Sequence, residues 1–301
     1  MSRPPRPSSP YDVPVTFRSP FNPPGDRCRN AFLWHDCRVT ILCYHTVERG
    51  WRSPLAVTPE TFEEHCAWLA RRRVVSLDEA MGQADRWGRL PRGVTALTFD
   101  DGFAGLYEHA WPVLAHFGLP ATVFLVAETL SPEGRAVDWA PTAPPGTRTL
   151  DLDQVLEMQA TGISFGSHSY AHHDLITLDA DECERDLRAS RELLEDLLKR
   201  RVPHLAYPRG LHNDTVHRAA EGAGFSYAFS LPEGPEEMSR YAIPRAVIIP
   251  GNGVPTLRFK TSRLYLPFRR TPLWPALRTV ARKTGFGLRL GQTDMETTQE
   301  N

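Results

Sequence analysis

The sequence predicts an α/β protein, a distorted (β/α) barrel of about seven strands, and three observations carry that prediction. From Val39 onward, short and wholly apolar runs alternate with stretches of helical texture. The runs lack the in-and-out alternation of a half-exposed strand, so each should be buried on both faces, as parallel strands covered by helices are. About seven such units recur before residue 250, which suits a closed barrel better than an open sheet.

The elements follow in order along the chain. The run 39–44 is followed by a helix over 59–72. Strand 94–99 leads to a helix over 105–117, then to strand 121–127. A helix over 151–160 precedes strand 163–167, and a long polar helix over 180–201 precedes the run 204–208. A helix over 213–222 and the runs 225–230 and 240–249 complete the series. In barrels and open α/β sheets alike, chemistry sits where strands end and loops begin.

The flanks differ in composition. Residues 1–38 are rich in Pro, Arg and Ser without a periodic pattern, which predicts a mobile tail, too poor in apolar groups to offset its ordering entropy. Residues 39–256 form the expected catalytic domain. Residues 257–301 form a basic extension, and its part 257–290 holds nine Lys or Arg (Arg258, Lys260, Arg263, Arg269, Arg270, Arg278, Arg282, Lys283 and Arg289) and no acid. Thr271-Pro272 would start a helix there and Gly285 would stop it, with Leu273, Leu277 and Val280 on one face. Basic amphipathic helices can lie at an anionic membrane surface, so the segment either makes peripheral membrane contact or packs its stripe on the barrel with its charges in water.

Composition narrows the function classes. The chain has 301 residues, 41% hydrophobic and 24% charged, an ordinary soluble globular balance. A net charge of −1 gives no electrostatic ground for a nucleic-acid partner. Five scattered cysteines (Cys28, Cys37, Cys43, Cys66 and Cys183) suit neither a disulfide framework nor a zinc cluster. The N-terminus has no apolar secretory core and no run of about 18 apolar residues occurs, so a cytoplasmic location is expected.

Two motifs carry chemistry. Thr98-Phe99-Asp100-Asp101-Gly102 ends an apolar strand on two adjacent carboxylates. Like charges so close raise each other's pKa, and a divalent cation would relieve this by neutralising one and leaving the other as a base. Helix capping by Asp is the plain alternative for these residues alone. The second motif, His168-Ser169-Tyr170-Ala171-His172, follows a later strand. Imidazoles four residues apart share one face of a helical turn and can converge on a metal. Together the motifs offer two nitrogen donors and one oxygen donor, leaving positions open for water and substrate, as a catalytic metal requires.

These motifs, with Ala206-Tyr207-Pro208-Arg209-Gly210 third in order, resemble the polysaccharide deacetylases of the NodB homology type, carbohydrate esterase family 4. The resemblance covers about residues 39–250. The run Leu42-Cys43-Tyr44-His45-Thr46-Val47 and the later Arg240-Tyr241-Ala242-Ile243-Pro244-Arg245 are similar to the subgroup of exopolysaccharide and poly-N-acetylglucosamine deacetylases. The resemblance implies a metal-dependent hydrolase that removes N-acetyl groups from a glycan. It implies that Asp100 is the general base and that Asp101, His168 and His172 hold a divalent metal. Gly102 would form the tight turn behind them and Ser169 would brace the loop. Tyr207, Pro208, Arg209 and Gly210 would line the substrate and supply an oxyanion N–H. Zinc fits the family, while iron, cobalt or nickel suit the same donors.

The chain departs from the family in two places. Ala206 stands where many relatives carry an Arg that orients the base, and Arg245 or Arg209 would have to replace it. At a strand end, Arg245 is expected to matter for turnover and little for stability. The late Leu-x-x-His segment that supplies the general acid in many relatives is not visible after residue 225, so His45 is the first candidate and His212 the next. Hydrolysis of small amides or cyclic ureides, or glycan binding without turnover, are the competing readings.

Overall fold

A computed structural model describes residues 39–87, 90–232, 238–269, 271 and 273. Parallel strands form one sheet: β1 (Thr40–Tyr44), β4 (Thr95–Phe99), β5 (Thr122–Leu125), β6 (Ser164–Ser167), β7 (His204–Ala206) and β8 (Tyr227–Ser230), then β9 (Ile243–Pro244) and β10 (Ala246–Val247). The order β10-β1-β4-β5-β6-β7-β8-β9 makes eight strands rather than the expected seven. The extra strand has a simple origin. The last run divides at Arg245, so Ile243–Pro244 pairs with β8 while Ala246–Val247 pairs with β1. One segment thereby joins both edges of the sheet, and the Arg245 amide donates to the Ser230 carbonyl at 3.0 Å. The short strands β2 (Thr46–Val47) and β3 (Ala56–Val57) pair beside the opening of the first strand.

Strand side chains alternate between two cores. Leu42, Tyr44, Leu97, Phe99, Val123 and Leu125 face the helices. Ile41, Ala96, Phe124, Ala206, Phe229 and Ile243 face inward and meet Leu77, Ala80, Met81 and Ala84 of α2 (Leu77–Trp87), a helix absent from the sequence expectations. The same alternation puts Cys43, Thr98, Asp100 and Arg245 on the inner face.

The remaining helices are α1 (Pro59–Leu69), α3 (Trp111–Phe117), α4 (Leu152–Ala160), α5 (Ala180–Leu198), α6 (Asp214–Gly222), α7 (Val254–Lys260) and α8 (Tyr265–Arg269). Asp151 with Gln154 and Asp179 with Glu182 form capping boxes at α4 and α5. The expected helix over 105–117 opens instead as a π-helical turn, Leu106–Ala110, because Pro112 cannot donate and the Trp111 amide reaches back to Leu106.

The C-terminal part of the barrel differs from expectation. The anticipated boundary at 256/257 falls inside α7, whose Leu257 and Lys260 are buried, as are Tyr265, Leu266 and Arg269 beyond it. Lys260 therefore does not belong to a solvated basic stripe. Its Nζ donates to the Val247 carbonyl at 2.6 Å and to Asn252 Oδ1 at 2.7 Å. Arg258 and Arg263 are exposed. The expected tail over 1–38, Cys28, Cys37 and the helix expected over 271–285 lie outside the described residues, apart from Thr271 and Leu273. Cys43, Cys66 and Cys183 are buried free thiols. Among the described residues, no helix is long and apolar enough to cross a membrane.

Candidate metal centre

β4 delivers the acid pair. Its pairing with β1 continues past Phe99, since the Asp100 amide donates to the Tyr44 carbonyl at 2.9 Å. The chain then turns sharply, with left-handed φ of 68° at Asp101 and 67° at Gly102. Asp tolerates that region better than most residues. At Gly102 a Cβ would sit 2.7 Å from Leu125 Cδ2 and would displace that leucine tip. The turn sends the two carboxylates apart, Asp100 into the barrel and Asp101 toward the histidines.

Asp100 is gripped from below. Arg245 Nη1 donates to Oδ1 and Nη2 to Oδ2, both at 2.7 Å, and Nη1 also reaches Thr98 Oγ1 at 3.1 Å. The Cys43 thiol approaches Oδ2 at 3.3 Å. All four side chains are buried. Burial alone would push the Asp100 carboxyl up, but the Arg245 charge and hydrogen bonds outweigh it and hold the group well below the usual carboxylate range. The guanidinium in turn stays charged despite its burial. Such a two-pronged contact fixes the carboxylate plane as well as its charge.

The histidine motif is a loop and not the helical turn expected. Ser169 and His172 take left-handed φ of 67° and 56°, and no helix begins before Leu175. Ser169 braces it: its Oγ accepts from the His172 amide at 2.9 Å. The His168 amide donates to the Leu125 carbonyl at 2.7 Å, tying the loop to β5. His168 Nδ1 lies 2.8 Å from the Ala206 carbonyl, an acceptor only, so Nδ1 carries the proton and Nε2 presents a lone pair. Ala206 thus orients a histidine through its backbone.

The donor atoms of Asp101, His168 and His172 all lie within 4.8 Å of one another. His168 Nε2 is 3.6 Å and His172 Nε2 3.3 Å from Asp101 Oδ1. Burial pushes the His168 pKa down to about 4, so its imidazole is neutral near pH 7. A buried lone pair aimed at a buried carboxylate repels it unless a cation lies between. The three side chains therefore fit a divalent metal. Trp139 Nε1 donates to Asp101 Oδ1 at 3.1 Å, and its ring stacks on His172 at 5.2 Å. Sequence reasoning missed Trp139, which sits in a loop with no periodic or motif signal.

The other expected residues are dispersed. His45 ends the inward face of β1, grouped with Cys43 and Asp100, and its buried Nδ1 has no hydrogen-bond partner. Arg209 pairs with Asp174 at 3.1 Å, and the arginine on Asp100 is Arg245. Tyr207 is buried, its hydroxyl donating to the Tyr241 carbonyl, and its amide is used in the sheet. The Gly210 amide is used in its turn and Pro208 has none, so by elimination only Arg209 could offer an N–H from that run. His212 stacks on Tyr207 and hydrogen-bonds His217 at 2.8 Å.

Known proteins are similar to this chain in sequence and in fold. The family model "Polysaccharide deacetylase" matches residues 77–228. The protein YxkH of Bacillus subtilis (strain 168) is 26% identical over 218 residues, covering 71% of this chain and 72% of its own. The poly-beta-1,6-N-acetyl-D-glucosamine N-deacetylase of Staphylococcus epidermidis is 28% identical over 206 residues, with 64% and 68% covered. The fold matches the Streptococcus pyogenes deacetylase PplD in complex with acetate, with a TM-score of 0.66 at 24% identity, covering 75% of this chain and 99% of that one. The matched range contains the acid pair and both histidines, and the chain belongs to the polysaccharide deacetylase family.

Proposed function

We propose that this carbohydrate deacetylase removes N-acetyl groups from a β-linked N-acetylglucosamine polymer or its precursor, with zinc held by Asp101, His168 and His172. The observation that carries the reading is the division of labour between adjacent acids: Asp101 faces two imidazole nitrogens, while Asp100 is clamped by Arg245. The relatives named above support the substrate class. When bound, a divalent cation supplies Lewis acidity toward the acetyl carbonyl and lowers the pKa of water.

The protein's own groups supply the rest. Asp100, kept ionised by Arg245, accepts a proton from the attacking water at its carboxylate. We assign the return of a proton to the leaving amine to His45, a reading supported by its unpartnered Nδ1 and its grouping with Asp100. The Arg209 amide would face the developing oxyanion. Acetate release from acetylated glucosamine oligomers, with and without chelator, tests the reading. Release that stops with chelator and returns with zinc is expected. Undiminished release in chelator would overturn it.

We further propose a cytoplasmic site of action with peripheral contact to anionic lipid. Arg258 and Arg263 are exposed, and Leu264 and Leu273 are exposed at 67% and 64%. Because α7 and α8 belong to the barrel, the truncation that tests this must follow Thr271. Loss of co-sedimentation with anionic vesicles after that cut is expected. Equal binding by both forms would move the contact to Arg258, Arg263 and Leu264, and no binding by either would refute it.

A further inference from the structure

We propose that Asp186, on α5, is a positioning residue that holds the His168–His172 loop in the shape that ligates metal. It touches neither the metal donors nor the reacting groups. Its side chain is 8% exposed. Oδ1 accepts from the Tyr170 amide at 2.9 Å, and Oδ2 lies 3.3 Å from His173 Nδ1. One carboxylate therefore gathers the middle and the end of the loop.

The loop needs such a hold. Its two left-handed residues, Ser169 and His172, both bear side chains, and that conformation is unfavourable for each. On one side it is fastened to β5 and the turn that follows. The His168 amide donates to Leu125, while Ser169 and Tyr170 carbonyls accept from Ala127 and Glu128 at 3.1 and 2.9 Å. These are backbone contacts. On the other side the grip comes from α5 side chains, through Asp186 and through the Ser190 hydroxyl bonded to Ser167. Asp186 supplies the charged part of that grip, on Tyr170 between the two ligands. Without it the loop can relax toward ordinary backbone angles, and the two imidazoles would separate. Groups that orient metal ligands from behind commonly change metal affinity by about 10–100-fold when removed.

The inference rests on the metal-centre reading above, and one titration tests both separately. Metal-free protein is titrated with Co²⁺ in competition with a chelator, following visible absorption, for the natural sequence, Asp186→Asn and Asp186→Ala. The Ala variant should weaken Co²⁺ binding by about 10–100-fold, the Asn variant less, since its remaining oxygen still accepts one amide. The visible band should shift with the loop, while thermal unfolding of the metal-free forms stays unchanged. Should the Ala variant fail to fold, the Asn variant carries the test. Co²⁺ affinity and band equal to the natural protein in the folded variants would overturn the role of Asp186. Failure of the natural protein itself to bind Co²⁺ would overturn the metal centre, and this inference with it.

Discussion

Arg245 and Lys260 are both buried cations that touch the barrel-closing run, one from inside and one from outside. Arg245 meets a carboxylate head-on, and its charge and that of Asp100 sustain each other. Lys260 meets only neutral acceptors, the Val247 carbonyl and the Asn252 side chain, in a setting shared with Tyr265, Arg269 and Cys43. Burial, with Arg269 adding repulsion, pushes its pKa down to about 7. A buried cation with a partner is a fixed charge fit for organising a site. One without a partner is a charge the fold can shed.

That contrast can be broken most forcefully at Arg245. As a strand-end residue it was expected to matter little for stability. Its complete burial against Asp100 reverses that expectation, because removing one member of a buried pair strands the other charge. Arg245→Met should cost about 3–5 kcal/mol in denaturant unfolding. It should also lower turnover by ~10-fold or more, the scale of a lost charge-assisted contact. Adding Asp100→Asn should restore part of the stability and none of the turnover. Natural stability in the single variant would show the pair to be dispensable.

Lys260 should give a smaller, pH-dependent effect. Between its folded value of about 7 and the ordinary 10.5, the unfolded chain carries a proton that the folded chain lacks. Stability should therefore rise with pH across that window. Lys260→Met should flatten the rise, read from denaturation midpoints at pH 7 and pH 10. An unchanged slope would mean that the lysine stays charged. Trp139→Phe should have the smallest effect. It keeps the ring stacked on His172 and loses only the N–H to Asp101, so metal affinity should fall about fivefold by chelator competition. A drop as large as that from His172→Ala would make Trp139 part of the ligand framework.

The legible parts of this molecule were those written in short-range pattern. Apolar runs separated by helical texture revealed the strands, and the two motifs revealed the donors at their ends. Arg245 was legible as the strand-end arginine near the place left by Ala206. What escaped depended on partners distant in sequence. Spacing of i, i+4 suits a helix, but the His168–His172 loop takes its shape from Ser167, Ser169 and Asp186. Lys260 reads as one more surface base, because the backbone carbonyl that accepts its proton has no sequence signature. Four apolar residues of α2 fit helical spacing, yet Asp78, Glu79, Gln83 and Asp85 among them mask the plug they form. Trp139 and Cys43 carry no motif, and only the nearly closed barrel and its loops bring them to the acids.

The central claim is that two adjacent acids hold different jobs because the chain turns left-handed between them. Metal content and acetate release, measured side by side on Asp100→Asn and Asp101→Asn, test it most directly. Asp100→Asn should retain one metal per chain and release no acetate, whereas Asp101→Asn should lose the metal and the activity together. Metal lost from Asp100→Asn and kept by Asp101→Asn would contradict the assignment.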